Sequence, residues 1–447
     1  MRVLLINPKV CSALQATKTI LPPLGLAYIA AVLKEGGHEV QLIDMSVYDG
    51  KPDFSRCDLV GVTATSSQLL DGLEFAKEAK ELGKVVVMGG SHASFMTQEL
   101  LKSGQVDYIV RGEGEYTMLE LVNALEAEGK HFDPRKVPGI SWQDKETGRV
   151  IDNPPRPFVR ELDALPLPAR ELLDMEAYKI TRLQNLPCTS ILTSRGCPYD
   201  CSFCCSTQLN GKKWRRRDAK LVVDEIELLV DRYGFSAIAF IDDNLAINVP
   251  RAKEMCDEIV RRGLKIKWWA MCSADPLVKS EELLEKMAAS GCDKIFIGLE
   301  TPNERVLEEY NKKASVDVGR RAVEALKRHG IKVMGAFILG EMYETEEDIM
   351  NTIRYANELK CESVQFSILT PYPGTRMFLQ LQDRIITRDW RKYDGLHAVY
   401  RPYNVTPERL EKLLRKAWRN FYLDPMRIIK YLRWDNIFMA RAVLKSI

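Results

Sequence analysis

The chain has 447 residues, enough for two or three domains around a large core. Its 64 basic and 62 acidic residues leave a formal charge of +2, which argues against a nucleic-acid binder held by electrostatics. No apolar run approaches the ~20 residues of a membrane-spanning helix, and the odd count of 11 cysteines with a strand-like start at residues 3–7 points to a reducing cytoplasm.

Five short β-rich runs open the chain, at residues 3–7, 40–43, 59–63, 85–88 and 108–110, with helical patterns between them. Apolar strands that alternate with helices predict a doubly wound parallel sheet covered on both faces, here over residues 1–149. Such sheets bind ligands at strand C-terminal ends. The residues there are small and rich in glycine: Asn7 and Pro8, Thr63 to Ser67, Gly89 to Ser94, and Arg111 to Glu115. Loops of this kind let a backbone approach a flat or phosphate-bearing ligand closely. Five prolines between Pro154 and Pro168 then predict an extended connector over residues 150–180. Six more βα units follow within 181–385, with strands at residues 189–193, 237–241, 267–271, 294–298, 332–339 and 363–369. That is too few for a closed eight-stranded barrel, so a partial (β/α)6 barrel is expected, with its site at the strand C-terminal ends. Residues 386–447 read as a helical, aromatic-rich region. In it, Thr406 caps a helix with Pro407 in the first turn, and residues 426–447 form a basic amphipathic segment expected to pack on its own domain.

The most informative stretch is the loop after the sixth strand, where Cys197, Cys201 and Cys204 follow a Cys-x3-Cys-x2-Cys spacing. Three thiolates this close suit an iron–sulfur cluster. The alternatives are a zinc site with a distant fourth ligand, or simply reduced cytosolic cysteines, although zinc knuckles usually add a second Cys-x2-Cys pair, which this chain lacks.

This spacing resembles the signature of the radical S-adenosylmethionine (SAM) enzymes, in which three cysteines hold a [4Fe–4S] cluster and SAM occupies the open iron. The first domain is similar to the cobalamin-binding domain of the cobalamin-dependent members. The likeness rests on the strand-end loops, on residues 21–33 as first helix, and on Gly36-Gly37-His38 as turn. The resemblance implies cobalamin contacts at Pro8, Thr63, Thr65, Ser66, Gly89, Gly90, His92, Ala93, Gly112, Glu113 and Glu115. The Asp-x-His-x-x-Gly motif of domains that place a histidine below cobalt is absent. His38 therefore reads as a structural turn residue, and His92 as a contact to the cobalamin tail.

On the barrel side the resemblance implies SAM contacts at Phe203, Asp242, Asp243, Ser273, Glu300 and Leu339, with Asp275 close by. Two departures stand out. Ser273 occupies a position where relatives often carry arginine, which leaves the partner of the SAM carboxylate open, and Gly340-Glu341-Met342-Tyr343 replaces a Gly-Leu-Pro-Gly loop. Tyr343 and Glu341 are thus candidates for shaping substrate access. Tyr199 either faces cobalamin as a catalytic residue or packs on the barrel rim.

The implied function is a C-methyltransferase that uses a 5′-deoxyadenosyl radical and methylcobalamin, with electrons from a flavodoxin- or ferredoxin-like donor. A peptide or protein side chain is the expected substrate, and neither nucleic acid nor a membrane surface is an expected partner. A radical cyclase or carbon–carbon coupling enzyme would share every motif, and a non-catalytic corrinoid or redox-sensing protein would not need Asp242 and Glu300.

Overall fold

The computed structural model describes residues 1–9, 19–424 and 427. It divides into two compact units: Met1–Cys11 with Pro22–Tyr178 and Gln208–Gly211, and Ser12–Leu21 with Lys179–Thr207 and Lys212–Ile447. Among the described residues no helix is long and apolar enough to cross a membrane.

In the first unit, strands β1 (Arg2–Asn7), β2 (Glu39–Asp44), β3 (Leu59–Thr63), β4 (Val85–Gly89) and β5 (Tyr108–Val110) are parallel in the order β2-β1-β3-β4-β5. Five consecutive buried residues in β1, Val3 to Asn7, show why its sequence runs apolar without alternation: helices cover both faces. This strand order changes direction between β1 and β3, so the crevice for a ligand opens at their C-terminal ends.

Two antiparallel strands, β6 (Ile140–Gln143) and β7 (Val150–Asp152), extend the sheet beyond β5. The expected connector is corrected by them. Residues 150–152 complete the sheet, and the proline-rich stretch lies along the same unit, where the Ala169 amide donates to the Ala27 carbonyl (3.0 Å) and the Tyr178 hydroxyl to Asp44 Oδ2 (2.7 Å). Prolines here shape short turns held by hydrogen bonds to the core, and the segment is no free tether.

The second unit opens with a hairpin of β8 (Arg182–Leu183) and β9 (Leu186–Ile191), followed by a two-residue ribbon of β10 (Ser194–Arg195) with β11 (Arg215–Arg216). Then come β12 (Ala237–Phe240), β13 (Lys267–Met271), β14 (Cys292–Glu300), β15 (Lys332–Leu339) and β16 (Ser363–Ile368). The sheet runs β16-β15-β14-β13-β12-β9-β8, and its six parallel strands do not close: β9 and β16 are not paired, as expected for a partial barrel. Amphipathic helices bury one stripe each against it; Val316–Arg328, for example, buries Gly319, Ala322, Val323, Ala325 and Leu326.

The helix Pro407–Tyr422 starts at the expected cap, with Thr406 Oγ1 accepting the Arg409 amide (3.3 Å). It is fixed to the barrel edge by the Tyr422 hydroxyl, which accepts from the Val364 amide (3.0 Å) and donates to the Val364 carbonyl (2.7 Å). Apart from Arg427, the basic segment 426–447 lies outside the described residues.

Candidate active site

The three cysteines sit on a loop closed at its base by the β10–β11 ribbon, which pairs Ser194 with Arg216 and Arg195 with Arg215. Its middle is clamped from the segment after the helix Glu304–Glu309. Ser202 donates its amide to the Tyr310 carbonyl (2.9 Å) and its hydroxyl to the Glu309 carbonyl (3.1 Å), while Asn311 Nδ2 donates to the Asp200 carbonyl (2.8 Å). The loop's shape thus comes from backbone contacts on either side of Cys201, independently of the thiols.

Cys197, Cys201 and Cys204 are half-buried and free of disulfides. Burial pushes all three thiols up, Cys204 to about 12, while Lys312 acts in the opposite direction on Cys197 and Cys201. Thiols of this kind give up their protons to a metal and not to water. Among the described residues no three His, Cys, Asp or Glu side chains stand close enough to hold one metal ion. A four-iron cluster spreads its thiolates over separate irons, so the trio's chemistry and half-exposed placement fit it.

Glu300 and Lys312 form the charged wall beside these thiols. Glu300 ends β14 at a register shift and takes a left-handed conformation (φ 58°), rare for a residue with a Cβ. Its Oε1 accepts from Lys312 Nζ at 2.6 Å, with the two side chains 6% and 18% exposed. Burial works to lower the Lys312 pKa, yet Glu300 and the cysteines outweigh it and the group is raised, so the ammonium stays charged. A Cβ on Gly298 would fall 2.3 Å from Glu300 Oε1 and 2.7 Å from Lys312 Nζ, so a side chain there would have to displace the ion pair.

The acidic pair after β12 occupies two different environments. The Asp242 side chain is fully buried, and its Oδ1 accepts from the Thr193 amide (3.1 Å), the Thr193 hydroxyl (2.9 Å) and the Ser194 hydroxyl. Arg251 NH1 completes the lock on Thr193 Oγ1 (2.8 Å). Asp242 therefore braces the strand end that launches the cysteine loop. Asp243 is half-buried and electrostatically coupled to Cys197, Cys204 and Cys205, which makes it the member of the pair that faces the thiols.

Ser273 and Asn244 are joined reciprocally, Asn244 Nδ2 to Ser273 Oγ (2.9 Å) and the Ser273 amide to Asn244 Oδ1 (3.2 Å), and Ser273 Oγ also reaches the Tyr199 hydroxyl at 3.5 Å. Tyr199 is thus tied to the ends of β12 and β13. Asp275 pairs with Lys279 (2.7 Å) at the surface. Phe203 packs edge-on to Tyr310 (5.1 Å), which leaves its backbone as the part able to meet a ligand. Leu339 is fully buried in the barrel core, and its carbonyl accepts the Leu369 amide (2.9 Å).

In the first unit, the expected residues gather at adjacent strand ends. Gln68 Nε2 donates to the Pro8 carbonyl (2.7 Å), and His92 Nδ1 meets Ser66 Oγ at 3.0 Å. Thr65 caps the turn that carries Ser66, and the Gly112 amide donates to Ser94 Oγ (3.0 Å). Gly90 has φ 92°, and a Cβ there would meet Thr63 Oγ1 at 2.7 Å and the Ala64 carbonyl oxygen at 2.9 Å, so the Thr63 and Gly89–Ala93 loops touch only because it is glycine. His92 is 1% exposed, and burial pushes its pKa down to about 4, so the imidazole is neutral near pH 7. Glu113 Oε2 accepts the Val159 amide (2.8 Å), and Glu115 is buried. Neutral donors and small side chains at strand ends suit a large amide-bearing macrocycle. His38 lies at the opposite end of the sheet, before β2, between Met1 and Asn123 Oδ1 (2.9 Å), as a structural residue should.

Comparison with known proteins agrees with both halves. A family model of the B12 binding domain matches residues 12–122, and one of the radical SAM superfamily matches residues 191–356. An uncharacterized methyltransferase of Pyrococcus horikoshii is 35% identical over 100% of this chain and 98% of its own. The chain belongs to the cobalamin-dependent radical SAM enzyme family. The anaerobic magnesium-protoporphyrin IX monomethyl ester cyclase of Rubrivivax gelatinosus is 30% identical over 95% of this chain and 78% of its own. In fold it resembles the cobalamin-dependent SAM radical enzyme OxsB (TM-score 0.77, 18% identity, 100% of this chain and 72% of that one). It also resembles the methyltransferase TsrM of Kitasatospora setae (TM-score 0.71, 24% identity, 86% and 78%). Its cofactors are accordingly a [4Fe–4S] cluster, SAM and cobalamin.

Glu341 belongs to a buried acidic cluster on the loop after β15 whose other member, Glu344, sequence reading did not single out. Glu344 Oε2 accepts the amides of Gly340 (2.8 Å) and Glu341 (2.9 Å), and the hydroxyls of Tyr310 and Tyr400 lie in the same buried region, Tyr400 donating to the Gly340 carbonyl. Burial, with the like charges of Glu341 and Asp348, raises Glu344 from 4.5 to about 7. Its folded-state pKa exceeds the unfolded value, so the folded chain holds this proton more tightly. Stability from this group is therefore lost as pH rises from about 4.5 through about 7, on the order of 3 kcal/mol in all. Glu344→Gln is expected to flatten that decline in thermal unfolding scans between pH 5 and 8. An unchanged slope in the variant would assign the pH dependence elsewhere.

Proposed function

We propose that the enzyme methylates an unactivated carbon, with a peptide or protein side chain as acceptor. The observation that carries the reading is the constellation around the cysteine loop: three half-exposed thiols, the buried Lys312–Glu300 pair and Asp243, in one chain with a cobalamin-binding sheet. When bound, SAM and the cluster supply a 5′-deoxyadenosyl radical and cobalamin supplies a methyl group; the chain binds, orients and shields them.

In this reading Cys197, Cys201 and Cys204 hold the cluster. Asp243 and Glu300 receive the SAM ammonium, since carboxylates suit a cationic ligand, and the Phe203 backbone meets adenine. Lys312 fills the role that sequence left open, partner of the SAM carboxylate, as a largely buried cation that acts on Cys197 and Cys201. The strand-end loops of the first unit, from Pro8 to Glu115, hold cobalamin. For the acceptor, support comes from Tyr343, on the loop that follows β15, and Tyr403, just before the helix Pro407–Tyr422, which stack at 5.1 Å and are 46% and 55% exposed. An exposed aromatic pair suits a side chain presented on a larger molecule. Oxidative cyclisation is the second reading, because several relatives at 27–30% identity are cyclases of a magnesium porphyrin ester.

The test is to purify the protein without oxygen, reconstitute iron and sulfide, add hydroxocobalamin, and measure retained cobalamin. SAM and a reductant are then added, and 5′-deoxyadenosine and S-adenosylhomocysteine are quantified. Retained cobalamin with both products is the expected result. Formation of 5′-deoxyadenosine alone, with cobalamin washed out, would favour the cyclase.

A further inference from the structure

Alternating exposure along four adjacent strands marks an accessible lumen on one side of the barrel. Through most of β13, β14, β15 and β16 every second residue is partly exposed, and the residues between belong to the core packed under the helices. Strand faces alternate, so the partly exposed set is the concave face. The other side of the barrel is filled: β12 is buried on both faces, where Ala237 and Ala239 pack with Leu183 and Leu186.

Strand register arranges the accessible side in layers. Trp269, Lys294 and Lys332 are partners across β13, β14 and β15, and Met271, Phe296 and Met334 form the next layer toward the strand C-terminal ends. Lys294 therefore lies below an apolar layer, at the opposite end of β14 from Glu300, ~20 Å along the strand. The neighbouring charges are already engaged with each other: Lys332 Nζ donates to Asp293 Oδ1 (2.8 Å), which Gln184 Nε2 also reaches. Among the described residues, Lys294 Nζ makes neither a hydrogen bond nor an ion pair. Burial pushes its pKa down, by more than Asp293 and Glu362 raise it. A lysine so placed is costly to the fold, since a methionine would fill the same space without the charge.

We propose that this lumen receives the methyl acceptor and that Lys294 binds a carboxylate at the acceptor's leading end, with the layer of Met271, Phe296 and Met334 selecting an apolar chain or ring behind it. The inference deepens the methylation reading and rests on the placement of the radical chemistry at the mouth of this barrel. A single ammonium suits a monoanion, whereas a phosphate dianion calls for an arginine fork or a set of backbone amides. An apolar carboxylic acid and an apolar peptide with a free C terminus both present this chemistry.

The test is calorimetric titration of the reconstituted full chain with two matched pairs of probes: dodecanoate with dodecanamide, and N-acetylated trileucine with its C-terminal amide. In at least one pair the acid is expected to bind about tenfold or more tightly than its amide, the worth of one charge-assisted hydrogen bond, and the pair that shows it distinguishes an acyl chain from a peptide. Lys294→Arg should keep that preference. Lys294→Met should bind acid and amide equally, with the iron content of the wild type and an unfolding midpoint no lower, because it removes an uncompensated charge. Equal binding of acid and amide by the wild type in both pairs overturns the proposal, and so does a preference that survives in Lys294→Met. A midpoint for Lys294→Met well below the wild type would make Lys294 a structural partner of Asp293 and overturns it as well. Binding is read without turnover of SAM, so failure to form 5′-deoxyadenosine or S-adenosylhomocysteine counts against the methylation reading and not against the carboxylate site.

Discussion

Cys201→Ala is expected to abolish both the visible absorbance of the reconstituted cluster and the formation of 5′-deoxyadenosine, while Cys205→Ser, four residues away, leaves both in place. The contrast tests the trio directly, because the two thiols are equally half-buried and neighbours in the same loop. Cys201 sits between two residues whose positions are fixed from outside: Asp200 by Asn311, and Ser202 by Glu309 and Tyr310. Removing its sulfur therefore deletes a ligand without releasing the loop, and the iron-free protein should lose no more than about 1 kcal/mol in thermal unfolding. Iron content after reconstitution and product formation from SAM are the two measurements. If Cys205→Ser lost the cluster as completely as Cys201→Ala, the ligand set would have to be redrawn.

Sequence patterns gave good access to the frame of this molecule and poor access to its bracing. All eleven strands expected in the two parallel sheets are present, because a strand buried on both faces must be apolar throughout and so advertises itself. The cysteine loop was equally visible, since metal chemistry restricts the residue types. The split between Asp242 and Asp243 was not: adjacent carboxylates look alike until one is seen fully buried under Thr193 and Ser194. Lys312 was missed for a related reason. It stands in a run of charged residues, Glu308 to Lys313, that reads as a solvated surface, and only the turn through Asn311 (φ 51°) brings its ammonium to Glu300. Prolines misled in the opposite direction, because residues 153–178 form only short turns yet are held on the first unit by hydrogen bonds that leave no pattern in the sequence.

Lys312→Met should weaken SAM binding to the cluster-loaded protein by about 10- to 100-fold, the worth of one charge-assisted hydrogen bond. It should also destabilise the fold by about 3 kcal/mol, because Glu300, only 6% exposed, would be left without its partner. Adding Glu300→Gln to that variant removes the orphaned charge, so the double variant should recover most of the lost stability. It should not recover SAM binding, since both ligand contacts are gone. This divergence separates a ligand-binding pair from a structural one, which no single substitution can do. Thermal unfolding of the iron-free protein reports the first quantity and equilibrium dialysis of SAM against the reconstituted protein the second. Were Lys312→Met to bind SAM as tightly as the wild type while losing stability, the pair would be a strut that fixes the strained end of β14, and the SAM carboxylate would need another partner. The left-handed backbone of Glu300 is itself an argument for the ligand role. A strut could be built from a relaxed residue, whereas this strain, held in place by a bulge and a buried ion pair, aims one carboxylate at one place beside the thiols.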